Sequence, residues 1–278
     1  MGYAIRVGEG TKVDLAGIPT AQDGGLTKDE GHARFEALAA ELGDLQELLY
    51  AAGDVALLAI FQGMDTSGKD GAIRHVFRDM DPQGVRVSAF RAPTPLELAH
   101  DFLWRVHREV PEKGMVGVFN RSHYEAVLVE RVKDIVPEKT WEARYAHINA
   151  FERLLADEGT IVLKFFLHIS SGEQEERLRA RERDVTKAWK LSAGDWADRA
   201  HWDDYQRAYA DALSRCSTDA APWWIVPADR KWFRDLAVGE VVRDALLPLR
   251  DGWLATLQAR GERELAEIAR MRAGDSRA

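Results

Sequence analysis

The sequence predicts an α/β domain built on a parallel sheet with helices on both of its faces. Three observations lead there. Short apolar runs at 55–61, 85–90, 115–119, 160–167 and 223–226 alternate with stretches of helical periodicity, the pattern left by successive strand–helix crossovers. The first run, Val55 to Phe61, leads into Gly63-Met-Asp-Thr-Ser-Gly-Lys69, the GxxxxGK spacing of a phosphate-binding loop set between a strand and a helix. The chain has 278 residues, 46% apolar and 30% charged, which is ordinary globular composition at a length that buries most of its surface unaided.

Taken in order, residues 1–26 are glycine-rich and irregular, and read as an arm that is laid over the domain or left loose. Thr27 and Glu30 form a capping box that opens a helix running to about Ala52. Its apolar positions, Phe35, Leu38, Leu42, Leu45 and Leu49, recur with a 3-4 spacing. Such a stripe faces either the core or a seam with another subunit. Helical patterns follow at about 69–79, 95–110, 121–132, 140–158, 172–187, 202–217 and 230–246. Residues 248–278 read as a polar helical tail. The whole chain, 1–278, is expected to be one domain.

Residues 171–202 are dense in charge, with Arg177, Arg179, Arg181, Arg183, Lys187, Lys190 and Arg199 interleaved with acids. Two readings stand: a solvated helix with i,i+4 pairs, or a basic lid that closes over phosphates.

The net charge of −8 works against non-specific nucleic-acid binding. It also means that a polyanionic substrate must be met by a local basic patch. A single cysteine, Cys216, excludes a disulfide within the chain and a two-cysteine metal site. No apolar run approaches the roughly 18 residues of a membrane span, and the opening residues lack a signal-peptide core. A cytoplasmic protein without membrane association is expected.

The chemistry gathers at the C-terminal ends of the strands, where α/β sheets bind ligands. In the loop, Gly63, Thr66, Ser67, Gly68 and Gly71 are candidates to cradle phosphate with backbone N–H groups, helped by the N-terminus of the next helix. Lys69 adds a full charge. The Ser or Thr that ordinarily follows the lysine and holds magnesium is Asp70 here, and a second acid, Asp65, lies within the loop. These acids are candidates to anchor a magnesium ion that relieves phosphate repulsion, with Asp65 the principal ligand. Asp65 alternatively orients the acceptor. After the third run comes Asn120-Arg121-Ser122-His123-Tyr124-Glu125. Asn120 stands where a metal-directed carboxylate is common, and Arg121 is a candidate to neutralise charge on a moving phosphoryl group. Its alternative role is an ion pair with Glu125. Arg91 and Arg105, after the second run, are candidates for gripping an acceptor phosphate, and Asn120 and Glu125 complete the acceptor set.

Gly63-Met-Asp-Thr-Ser-Gly-Lys-Asp-Gly71, Phe119-Asn-Arg-Ser-His-Tyr-Glu125 and Ala221-Pro-Trp-Trp-Ile-Val-Pro-Ala-Asp-Arg-Lys-Trp-Phe233 together resemble the polyphosphate kinase 2 family over residues 28 to 247. The Asn-Arg-Ser-His-Tyr-Glu form is similar to its class III branch. The resemblance implies a thymidylate-kinase-like fold, with a five-stranded parallel sheet and a helical lid. It implies transfer of the terminal phosphoryl of inorganic polyphosphate to AMP and ADP, with Mg2+ as cofactor, in a dimer or tetramer. By the same resemblance Asp65, Lys69 and Arg121 are catalytic, and Arg177, Arg181, Lys187 and Lys190 of the lid grip polyphosphate. The residues alone leave two other classes open: an ATP-dependent nucleoside monophosphate kinase and a non-catalytic phosphate sensor.

Overall fold

A computed structural model describes residues 2–190 and 192–275, without the side chains of Lys187, Ala188, Lys190 and Asp275. The strands are β1 (Ile5–Arg6), β2 (Ala56–Gln62), β3 (Val85–Ala89), β4 (Val116–Asn120), β5 (Thr160–His168) and β6 (Trp223–Pro227). They form one sheet in the order β1-β6-β5-β2-β4-β3. The five strands from β2 to β6 are parallel to one another. The sheet therefore has six strands rather than five. Ile5 and Arg6 pair antiparallel with Ile225 and Trp224, so the N-terminal arm is laid down as an edge strand. Two residues are too few to show a strand period, but they cover an edge that would otherwise expose unpaired backbone groups.

β2 is buried at every position because β4 and β5 flank it and helices cover both faces, as parallel sheets require. Helix α1 (Lys28–Ala52) starts at the expected capping box, with Thr27 N donating to Glu30 Oε2 at 2.8 Å, and ends on Gly53 in the left-handed conformation. Phe35, Leu38, Leu42, Leu45 and Leu49 are all buried in this chain's own core, together with Leu236, Val238 and Val242. The stripe thus faces the core, and the seam reading loses its apolar face. Each of these side chains contributes about 1.5–3 kcal/mol on burial.

The shorter helices depart most from the sequence reading. α2 (Lys69–Val76) follows the phosphate loop as expected. The region 95–110 holds two single turns, α3 (Pro95–Leu98) and α4 (Trp104–His107). In the region 121–132 Arg121 adopts φ 62°, and the backbone leaves helical geometry again at Leu128, with φ −106° and ψ −80°. A 3-10 turn (His123–Ala126) and α5 (Val129–Val132) replace the single helix expected there. α6 (Glu138–Asp157) and β5 follow. The charge-dense segment forms α7 (Ser171–Arg183), a 3-10 stretch (Val185–Lys190) and α8 (Ala193–Ala200). α9 (Trp202–Arg215), α10 (Lys231–Leu246) and α11 (Arg250–Asp275) complete the chain. Among the described residues no helix is long and apolar enough to cross a membrane.

Candidate active site

A cleft of about 630 Å³ opens at the C-terminal ends of β2, β3 and β4, under the lid. Among the described residues that line it, eight are lysine or arginine and three are aspartate. This local excess of positive charge lies in a chain whose net charge is −8, so the cleft attracts anions where the whole molecule repels them.

The floor is the loop from Gly63 to Gly68. Gly63 and Gly68 have φ of 149° and 103°, the region that disfavours side chains. A Cβ on Gly63 would come within 2.8 Å of Leu167 O, and one on Gly68 within 2.1 Å of Arg234 Nη1. Thr66 also lies at positive φ, 65°. Its Oγ1 donates to Gln174 O at 3.4 Å. Gly71 lines the cleft from the first turn of α2, and Ser67 is buried.

Lys69 is the first residue of α2 and is buried. Its Nζ donates to the carbonyls of Gly63, at 2.7 Å, and Met64, at 3.2 Å, curling the loop around the ammonium. Burial, reinforced by the nearby Arg121 charge, lowers its pKa from 10.5 to about 8, against the opposing pull of Asp65, Glu125 and Asp70. Asp65 is pushed up by burial, but Arg121, Lys69 and Arg181 more than offset this and hold its carboxyl below the ordinary value.

β4 delivers the second group. Asn120 Nδ2 donates to Asp70 Oδ1 at 2.9 Å, which places the unusual residue at 70 beside the end of this strand. Arg121 N donates to Phe61 O at 3.0 Å. Its guanidinium pairs with Asp65 and, at 3.0 Å, with Glu125. The Glu125 charge, opposed by burial and joined by Asp65, raises the Arg121 pKa, so this residue is a fixed cation. Arg91 lines the cleft where β3 ends. Arg105 stands behind it: its Nη2 donates to Arg91 O at 2.9 Å, and its guanidinium lies over the Phe90 ring.

From the lid, Arg181 lines the cleft and its Nη1 donates to Asp195 Oδ2 at 3.0 Å. Burial, and then the Asp65 charge, raises the Asp195 pKa. Arg177 also lines the cleft, and its guanidinium is held by protein carbonyls. Its Nη1 donates to Thr66 O and Ser67 O, both at 3.0 Å, and its Nη2 to Ala228 O at 2.7 Å and Asp229 O at 3.0 Å. Gln174 Nε2 adds a bond to Asp65 O at 3.2 Å. The base of the lid therefore holds the carbonyls of Asp65, Thr66 and Ser67. The side chains of Lys187 and Lys190 lie outside the described residues.

The loop, the end of β4 and the lid thus meet in the arrangement of a phosphoryl-transfer site. A family model for polyphosphate kinase 2 matches residues 25–248. The chain belongs to the polyphosphate kinase 2 family. A relative from Meiothermus ruber, named AMP/ADP-polyphosphate phosphotransferase, is 52% identical over 217 residues, covering 77% of this chain and 81% of its own length. An ADP-polyphosphate phosphotransferase of Rhodopseudomonas palustris is 44% identical, covering 95% of this chain and 96% of its own. The crystal structure of polyphosphate kinase 2 from Arthrobacter aurescens superimposes with a TM-score of 0.83 at 45% identity, covering 90% of this chain and 93% of that one.

In this polyphosphate kinase 2 chain one feature behind the site is absent from the sequence reading. Lys164 on β5 and Glu152 on α6 form a fully buried ion pair at 2.5 Å. Glu152 Oε1 also accepts from His123 Nε2 at 3.1 Å and from the Tyr124 hydroxyl at 2.9 Å. Lys164 Nζ donates further to Tyr124 Oη at 2.9 Å and Cys216 O at 2.5 Å. His123 therefore points inward, away from the cleft. The pair anchors the two residues that follow the Arg121-Ser122 turn. Asp195, Arg74, Lys231 and Arg234 line the cleft without having been singled out. Lys231 falls within the Ala221–Phe233 motif and Arg234 directly follows it, both after the final strand, where α/β sheets gather ligand-binding groups.

Proposed function

We propose that this phosphotransferase moves the terminal phosphoryl group of inorganic polyphosphate to AMP and ADP, forming ADP and ATP. The observation that carries the reading is the convergence of Lys69, Asp65 and Arg121 in a cleft with eight cationic lining residues against three acidic ones. A donor without base or sugar can be recognised only through charge and spacing, and the cleft supplies charge.

An oxygen of the acceptor's terminal phosphate attacks the terminal phosphorus of the chain. The new P–O bond forms as the bridging P–O bond behind it breaks, and polyphosphate leaves one unit shorter. A nucleotide phosphate is already largely ionised at neutral pH, so no strong base is needed. The protein's task is alignment and charge stabilisation. Lys69 holds phosphate oxygens at the loop. Arg121, a fixed cation, faces the charge that spreads over the transferred group. Arg91 and Asn120 serve the acceptor from the ends of β3 and β4. Arg105 and Glu125 support them, the first by bracing Arg91 and the second by fixing Arg121. Arg181, Lys187 and Lys190 close on polyphosphate, and Arg177 sets the loop.

The donor set fits a magnesium ion. Among the described residues no group of three or more His, Cys, Asp or Glu side chains forms a protein cage. Magnesium at phosphates needs only one or two carboxylates, with phosphate and water as its other ligands. Asp65, already ionised within the loop, would hold it. The ion would offset phosphate charge. By the family resemblance we propose further that the enzyme works in the cytoplasm as a homo-oligomer.

A panel of donors and acceptors tests this reading. Polyphosphate with AMP or ADP should yield ADP and ATP in the presence of magnesium. Turnover with ATP and a nucleoside monophosphate but none with polyphosphate would replace it with a nucleotide-donor kinase. Nucleotide binding without any turnover would make the chain a sensor.

A further inference from the structure

Residues 248–278 read as a polar tail, yet α11 carries an apolar stripe. Leu254, Leu257, Leu265, Ile268 and Met271 recur at helical spacing, with Gly261 in the one gap, so they share one face. Among the described residues of α11 only Trp253 is buried, at the root of the helix, where its Nε1 donates to Asp54 Oδ1 at 2.9 Å. Leu254, Leu265 and Met271 are 42%, 67% and 60% exposed. From Leu254 to Met271 the stripe runs for about 26 Å. Helices in water draw most of their stability from packing such a face, and the chain itself leaves this one largely bare.

The root of the stripe opens into a groove of about 430 Å³ between α1 and α11, lined by Leu48, Leu247 and Leu254 among others. Glu41, Asp44 and Glu47 also line it, against one cation, Arg250. At the far end of the stripe the local charge is opposite, with Met271 between Arg270 and Arg272. Along the middle, Arg260 and Glu267 stand on the same flank, about two turns apart. Opposite charges at the two ends and along one flank make the surface complementary to itself under a two-fold axis.

We propose that α11 is a dimer seam, in which the α11 helices of two copies of this chain lie antiparallel along their apolar stripes. In that register Leu254 meets Met271 of the second copy and Leu257 meets its Ile268, each contact occurring twice. Gly261 gives room where Glu264 of the second copy crosses, and Leu265 closes the seam beside the axis. Arg260 of each copy pairs with Glu267 of the other, as flanking charges do in helix pairs. The Arg270–Arg272 end enters the acid-lined groove of the second copy. A parallel pair would instead set Arg260 against Arg260 and bring like ends together. The inference deepens the homo-oligomer proposed above by naming its contact, and it depends on no step of the proposed reaction.

Sedimentation equilibrium on the whole chain tests the seam. The wild type should be dimeric or larger at micromolar concentration. Leu265 is exposed and Ile268 half-buried, so Leu265→Glu with Ile268→Glu spares the core. That pair of changes should raise the dissociation constant about a hundredfold or more, because four apolar side chains leave the seam. Arg260→Glu should raise it about tenfold, and adding Glu267→Arg should restore it to within about threefold. The two residues lie about 10 Å apart on one helix, so such rescue comes only from across the seam. A monomeric wild type would overturn both the seam and the oligomer. An oligomer unmoved by Leu265→Glu with Ile268→Glu would overturn the seam and leave the oligomer standing on another face. Weakening by Arg260→Glu without rescue by Glu267→Arg would overturn the antiparallel register.

Discussion

Arg121 at the end of β4 reaches back to Asp65 in the phosphate loop, and it does so from a left-handed backbone conformation, φ 62°. The strain of that conformation is met by a backbone bond from Arg121 N to Phe61 O at 3.0 Å. Two elements far apart in sequence are thereby locked together in the wall of the cleft. Strain of this kind at a non-glycine residue is characteristic of functional sites.

Removing that guanidinium should be severe. Arg121→Ala is expected to lower kcat about 10³-fold, the weight of an arginine facing a phosphoryl transition state. Arg121→Lys should recover little of the loss, because a lysine cannot bridge Asp65 and Glu125 with one planar group. Steady-state kinetics with saturating substrates check both. A fall of less than about tenfold would move Arg121 out of the reaction.

Lys69 is expected to set an alkaline limit on activity. Its pKa in the free protein is lowered to about 8, so kcat/KM should fall above about pH 8. The limb in kcat should lie higher, since bound phosphates favour the protonated amine. Lys69→Ala should cost about 3–4 kcal/mol of transition-state stabilisation. Coincident limbs in the two profiles, both near 10.5, would contradict this.

The same shift makes a prediction about stability. Between about pH 8 and 10.5 the unfolded chain holds a proton on Lys69 that the folded chain has released. The group therefore destabilises the fold fully below about pH 8, by about 3 kcal/mol, and the penalty fades as the pH rises through that window. Lys69→Met loses two hydrogen bonds to loop carbonyls at every pH. The difference in Tm between Lys69→Met and the wild type should nonetheless be more favourable to the variant at pH 7 than at pH 10. A pH-independent difference would refute the shift.

The Lys164–Glu152 pair is fully buried. Lys164→Met should destabilise by about 3–5 kcal/mol, because it strands a buried carboxylate. Adding Glu152→Gln should restore much of that, since the amide oxygen still accepts from His123 and Tyr124. Urea unfolding measures both. A single variant within about 1 kcal/mol of the wild type would show that Glu152 is not held as an anion.

Arg177 bonds four carbonyls of the loop and of the β6–α10 connection. Arg177→Ala should lower kcat about 10–100-fold through loss of loop geometry. The loss should be the same with short and long polyphosphates. A defect seen only with long chains would show that Arg177 contacts the chain itself.

The alternation of apolar runs carried the parallel sheet into view, because β2, β4 and β5 are buried on both faces and are therefore mostly hydrophobic. The phosphate loop was equally legible, since its glycines answer a local steric demand. The break at Arg121 was not, because a positive φ at an arginine follows from Phe61 and Asp65 and not from its neighbours. The inward turn of His123 depends on Glu152 and Lys164, which reach it from another helix and another strand. Arg177 read as one more cation in a charged helix, and only its distance to four carbonyls distinguishes it from Arg181. Ile5 and Arg6 become a strand only because β6 presents an edge.

The donor proposed for this site is a bare phosphate chain. Phosphorus NMR of purified protein with ADP, magnesium and long polyphosphate tests it most directly. ATP signals should grow while polyphosphate shortens, one chain unit lost per ATP formed, and Arg121→Ala should abolish both changes. Unchanged polyphosphate alongside phosphate transfer from ATP to a nucleoside monophosphate would contradict it.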